Sequence, residues 1–170
     1  MRSVNRILKI NEIDGYKISC LFNNGESRII DFELLFKNWK IKKGHIAYPL
    51  VEKIEEFQKV EIVDGTLTWK NITISSKDEA GNDIVQYFDL DPAVLFENSA
   101  LDESRNIVIG LMIRQTRIEL GMTQEELANK AGTTKHYISR IENSKSDIEL
   151  MTLKKIVEGG FGKRLKIKIA

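Results

Sequence analysis

TQEELANKAGTTKHYISRIEN, residues 123–143, reads as two short helices joined by a tight turn. Thr123 is a ready N-cap, and Glu126 lies three residues on, so the two can form a capping box. Leu127, Ala128 and Ala131 follow at the spacing of one buried helical face. Gly132 stands where the first helix must stop in a left-handed conformation, which a residue without a β-carbon adopts cheaply. Thr133 or Thr134 can cap the second helix, and Ile138 and Ile141 give it a buried side. Ala128 matters by being small, because two helices that cross steeply need a short side chain where they touch.

This arrangement resembles the helix-turn-helix of the Cro/phage-repressor (XRE) family over residues 106–160. The small Ala128, the turn Gly132 four positions later and the buried Ile138 six beyond that fall in register with it. The resemblance implies an all-α, lambda-repressor-like domain that binds double-stranded DNA. An ordinary helical hairpin would need fewer of these features to coincide.

The rest of the chain bounds that reading. At 170 residues it holds one large domain or two small ones. With 42% hydrophobic and 30% charged residues the composition is that of a globular protein. No apolar run approaches the ~20 residues of a membrane helix, and the opening residues do not read as a signal peptide. Cys20 is a lone cysteine in an apolar alternating run, which suits a core thiol and a cytoplasmic location. Net charge is +1, but it is unevenly spread. Residues 1–100 carry 13 basic and 16 acidic side chains, whereas residues 101–170 carry 13 and 9. The basic excess lies with the helix-turn-helix, where phosphates would be met.

The N-terminal part reads as β-rich. Strands are predicted over 4–10, 16–22 and 26–32, with a turn at 11–15 and a hairpin at Asn23-Asn24-Gly25. Asp31 or Glu33 opens a short helix through Trp39, and residues 40–44 form a basic loop. Pro49 can start another helix. Residues 60–63 and 67–74 flank Asp64-Gly65, a second hairpin signal; residues 75–82 are polar and turn-rich, and 83–88 return as a strand. Asp91-Pro92 is a cap followed by a proline at the first helical position. Together these predict an antiparallel sheet with short helices, an α+β domain over residues 1–98.

The order Phe22 to Glu26, Ile30 to Phe32, Leu67 to Trp69 and Asp89 to Pro92 resembles a small bacterial domain of unknown function that sometimes precedes a helix-turn-helix of this type. Residues 70–88 look like an insertion relative to its pattern. The resemblance implies an architecture, not a chemistry.

The second domain is predicted over residues 99–170, with 98–105 as a polar junction. Its first helix spans 106–120, with Ile107, Ile109 or Gly110, Ile113 and Leu120 available for the interior. A last helix over 150–157 is stopped by Gly159, Gly160 and Gly162. Residues 163–170 then alternate, Leu165, Ile167 and Ile169 on one face and Arg164, Lys166 and Lys168 on the other, which predicts a strand. Its partner is either the same strand of a second chain or an edge of the first sheet.

In this geometry the second helix of the pair enters the major groove with its N-terminal part facing base edges. Lys135, His136 and Tyr137 lie in its first turn and Arg140 one turn after His136, so these four are the candidates for base contact. The family pattern places Gln124, Thr134, Asn143 and Lys145 near phosphates. It also matches Arg117 and Glu142 to a pair that forms an internal salt bridge in relatives.

The sequence suits three function classes to different degrees. The leading one is a dimeric, sequence-specific repressor on a paired-half-site operator, with the N-terminal domain free for another task. Short proteins of this build resemble antitoxins, which implies a toxin as protein partner. The second is a ligand-sensing repressor, although no phosphate-cradling loop or metal box is present and no cofactor is expected. The third, an enzyme, is disfavoured: His45 and His136 are the only histidines and fall in different domains.

Overall fold

The computed structural model describes residues 4–169 apart from 78 and 80. It divides into two compact units, Met1–Asn106 and Ile107–Ala170.

The first unit contains two antiparallel sheets. Strands β1 (Ile7–Asp14), β2 (Lys17–Phe22), β3 (Ser27–Asp31) and β7 (Ser99–Leu101) lie in that order in one. Strands β4 (Glu61–Val63), β5 (Thr66–Lys77) and β6 (Asp83–Asp89) form the other. The backbone N–H of Ile7 donates to the Gly65 carbonyl at 2.7 Å and ties the two sheets together. Asp64 and Gly65 both have positive φ, 52° and 87°, the hairpin conformation that an Asp-Gly pair tolerates.

Short helices close this unit. Helix α1 (Phe32–Asn38) is capped by Asp31, whose carboxylate accepts from the Leu34 N–H at 3.1 Å. Pro49 lies in the first turn of α2 (Tyr48–Glu52), and α3 (Ile54–Phe57) follows after an extended Lys53. Asp91 caps α4 (Pro92–Glu97). The interior is a chain of aromatic rings: Phe32 packs on Phe36, Phe57 and Trp69, and Trp69 on Phe88. Trp69 donates its indole N–H to the Phe57 carbonyl at 2.7 Å, so its polar atom is satisfied. Cys20 is a fully buried part of this core, and burial pushes its thiol up to about 12, which leaves it protonated at neutral pH.

Several expectations need correction. The predicted turn at 11–15 is shorter: β1 continues to Asp14, and Asn11 is held by Ser19 and Ser27, whose hydroxyls accept from its amide. Residues 75–77, predicted as part of a loop, extend β5 and pair with residues 83–85; residues 78 and 80 of that predicted loop lie outside the described residues.

The boundary also moves, to residue 106 rather than 98. Residues 99–101 are a strand on β3, and Arg28 grips it through the Ser99 hydroxyl (2.7 Å) and carbonyl (2.8 Å). Asp102 is buried, accepting hydrogen bonds from the Ser104 and Ser19 hydroxyls at 2.6 Å each, and these hold its carboxyl below the usual range. Asn106 completes the clamp, its amide bonded to both backbone groups of Ser27. A polar junction is therefore a set of sheet contacts that composition alone does not reveal.

The second unit is helical: α5 (Ile109–Glu119), α6 (Gln124–Ala131), α7 (Lys135–Glu142) and α8 (Leu150–Lys154), which runs into a π-helical turn, Lys155–Gly160. Its core is Ile113, Leu127, Ala128, Ala131, Ile138, Ile141 and Ile156. Ile107, expected inside, is 82% exposed because α5 begins two residues later. Gly159 and Gly160, read as helix stops, lie within the π-helical turn. A β-carbon on Gly160 would stand 2.6 Å from Leu127 Cδ1, so the glycine lets this turn lie close on α6. Residues 163–169 form no helix and join neither sheet; the alternating pattern there finds no ladder among the described residues. No helix among the described residues is long and apolar enough to cross a membrane.

Candidate nucleic-acid interface

The helix pair α6–α7 is built by local chemistry. Thr123 Oγ1 accepts from the Glu126 N–H at 3.1 Å while Glu126 accepts from the Thr123 N–H at 2.7 Å, a complete capping box. That hydrogen bond from the Thr123 backbone holds the Glu126 carboxyl below its ordinary value. Gly132 ends α6 with φ 65° and ψ 41°, and Thr134 caps α7 by accepting from the Tyr137 N–H. Replacing Thr123 with alanine is expected to cost the second unit about 1 kcal/mol, measured by denaturant unfolding; an unchanged midpoint would show that the cap contributes nothing.

One buried ion pair fixes α5 against α7. Arg117 faces Glu142 in bidentate fashion, Nε to Oε1 at 2.6 Å and Nη2 to Oε2 at 3.0 Å. Arg117 also donates to the Met122 carbonyl at 2.8 Å, which fastens the loop leading into α6. The Glu142 side chain is 1% exposed. Burial pushes its carboxyl up, but hydrogen bonds from Arg117 and Gln124, with the charges of Arg117 and Arg114, outweigh this and hold it below its ordinary value.

Lys135, His136 and Arg140 are exposed along α7, while Ile138 and Ile141 on the opposite side are buried. Tyr137 is half-buried and packs on the core, so less of it is free than of its three neighbours. Arg140 Nη2 donates to the Lys145 carbonyl at 3.1 Å, and the Lys145 N–H returns to the Arg140 carbonyl at 2.8 Å. The turn after α7 thus holds Arg140 and brings Lys145 beside it.

Among the candidate phosphate contacts, Thr134, Asn143 and Lys145 are exposed. The Asn143 amide is engaged by the Ser139 carbonyl at 2.7 Å. Gln124 Nε2 donates to Glu142 Oε2 at 2.8 Å, so the first residue of α6 is oriented by the same buried carboxylate that holds Arg117. Sequence reading paired Arg117 with Glu142 through the family resemblance but left out this third member, because no local pattern links residues 18 positions apart.

Comparison with known proteins finds relatives of this helix pair. Residues 113–159 match the model of a helix-turn-helix family. The restriction-modification controller protein C.Esp1396I is 34% identical, over 33% of this chain and 72% of that one, with a TM-score of 0.32. The chain belongs to the XRE-type helix-turn-helix family. This XRE-type protein is accordingly a DNA-binding transcriptional regulator. A solved protein from Nitrosomonas europaea, NE0471, overlaps 92% of the XRE-type chain and 88% of its own at 14% identity, with a TM-score of 0.35. No curated protein matches significantly.

Proposed function

We propose that this regulator is a sequence-specific repressor that binds a two-fold operator as a homodimer. The observation that carries the reading is the outward row of Lys135, His136 and Arg140 on a capped helix braced from behind by Arg117 and Glu142. Lysine and arginine donate to guanine O6 and N7, and a rigid support keeps such donors in register with base edges. Gln124, Thr134, Asn143 and Lys145 contact the flanking phosphates, with Tyr137 at the margin of the base-reading set. One such helix reads few bases, and a two-fold pair of half-sites supplies the missing specificity. The controller protein to which the chain is similar is, by its name, a regulator of a gene system, in keeping with this role.

The roles separate experimentally. Arg140→Ala is expected to cost ~1–3 kcal/mol on the preferred site and to relax preference at one base position. Lys145→Ala is expected to weaken all sequences alike and to lower the slope of log affinity against log salt by about one. Fluorescence anisotropy with matched and single-base-changed duplexes measures both. If Arg140→Ala weakens every duplex equally, Arg140 does not read a base.

For the first unit we favour a protein partner, as in an antitoxin, over a small ligand. Ile74, Ile84, Val85 and Tyr87 on the β5–β6 hairpin are 38–59% exposed, the kind of apolar strand surface that associating proteins cover. Co-expression with the product of the neighbouring open reading frame is expected to yield a stable complex that Val85→Lys disrupts. A neighbour that does not associate, together with a metabolite that raises the melting temperature of the first unit, would favour the ligand-sensing alternative.

A further inference from the structure

Strand β6 is the edge of its sheet: it pairs with β5 on one side and, among the described residues, with nothing on the other. Sheet edges are commonly guarded by lysine, proline or a bulge, because their open row of N–H and C=O groups recruits further strands. β6 reads DIVQYFD and carries none of these guards; the irregularity in this hairpin falls on β5, between Trp69 and Thr73. Side chains alternate across a strand, so odd and even positions of β6 face opposite ways. Phe88 is buried in the core, and Ile84 and Gln86 share its face. The other face carries Asp83, Val85, Tyr87 and Asp89. Val85 and Tyr87 are 59% and 48% exposed, and an exposed acid stands at each end of the pair.

We propose that β6 takes up an extended segment of a protein partner as an added strand, and that the segment has the pattern basic-x-apolar-x-apolar-x-basic. It rests on the protein-partner reading above and specifies how that partner is held. Main-chain hydrogen bonds along the open edge supply affinity, and alternate side chains supply the choice of segment. Apolar residues sit opposite Val85 and Tyr87, and lysine or arginine opposite Asp83 and Asp89, because unlike charges across a ladder stabilise it and like charges weaken it. Lys77 already stands across from Asp83 on the β5 side, whereas Asp89 stands across from Thr68. The charge choice is therefore sharper at the Asp89 end. A second copy of β6 is a poor occupant. Antiparallel self-pairing centred on Gln86 sets Val85 against Tyr87 but Asp83 against Asp89 at both ends.

Selection from a displayed library of random peptides, on the full chain and on its Asp89→Lys variant, tests this. Asp89 is exposed, and circular dichroism checks that the variant stays folded. The parent is expected to enrich segments in which two apolar residues, two positions apart, are flanked by cations in the same alternation. Asp89→Lys is expected to exchange the cation at one end for aspartate or glutamate. An enriched peptide is then synthesised with N-methyl groups on alternate residues. One phase removes the N–H groups aimed at β6 and is expected to weaken binding by about tenfold or more; the other phase points away and is expected to change it by less than about twofold. Equal losses in both phases, or a charge preference that Asp89→Lys leaves unchanged, overturn strand addition. A pool with no enrichment overturns it as well, and co-expression then decides the partner reading separately. A complex that Val85→Lys disrupts leaves that reading standing; no complex removes both.

Discussion

Gly110→Ala is expected to destabilise the second unit by ~3 kcal/mol, although replacing glycine by alanine inside a helix ordinarily gains about 1 kcal/mol. The reversal follows from one contact. A β-carbon at position 110 would stand 2.1 Å from the carbonyl oxygen of Ile141 and 3.1 Å from its carbonyl carbon. Both atoms are backbone of α7, so no rotamer change relieves the clash and α5 must move off α7. That movement also pulls at the Arg117–Glu142 pair, which spans the same two helices. Denaturant unfolding of the variant measures the cost. A variant as stable as the parent would mean that the two helices do not cross at this distance.

The second large effect is at Glu142. Removing this carboxylate by Glu142→Ala is expected to cost ~3–5 kcal/mol, because Arg117, 13% exposed, is left with an unpaired charge. Replacing both partners by apolar side chains, Arg117→Met with Glu142→Leu, is expected to cost less than the single change, since no charge then remains to be desolvated. The pair also confers a pH dependence. The folded-state carboxyl lies below its ordinary value of 4.5, so its contribution is complete above that value and is lost as pH falls through the depressed one. Stability of the parent should therefore drop on acidification below about pH 4.5, more steeply than that of the double variant. Because Glu142 also orients Gln124, the single variant is expected to lose DNA affinity even below its melting temperature. A double variant less stable than Glu142→Ala would show that the pair supplies net stability beyond avoiding a buried charge.

What could be seen in the sequence and what could not divide along physical lines. The helix pair was legible because its determinants are local: Thr123 with Glu126, Gly132 and Thr134 each act within one turn of chain. The hairpins at Asn23–Gly25 and Asp64-Gly65 were legible for the same reason. The extension of β5 through Ser75, Ser76 and Lys77 was not. That part of the hairpin is exposed on both faces, so no core imposes an apolar alternation on it. Strand β7 was hidden because three residues carry little pattern, and what holds them is Arg28, 71 positions away from Ser99. In the candidate site, exposure of Lys135, His136 and Arg140 followed from the helical period. The engagement of Gln124 by Glu142 and the partial burial of Tyr137 depend on how helices cross, which periodicity does not encode.

The claim on which the account rests is that α7 reads DNA sequence through its outward side chains. Selection of bound duplexes from a random pool, using the full chain and a Lys135→Ala, Arg140→Ala double variant, tests it most directly. The parent is expected to enrich a two-fold symmetric motif with half-sites about one helical turn, roughly 10 base pairs, apart. The variant is expected to lose preference at the positions those side chains face. A parent that enriches nothing, or a variant that enriches the same motif as strongly, would contradict the account.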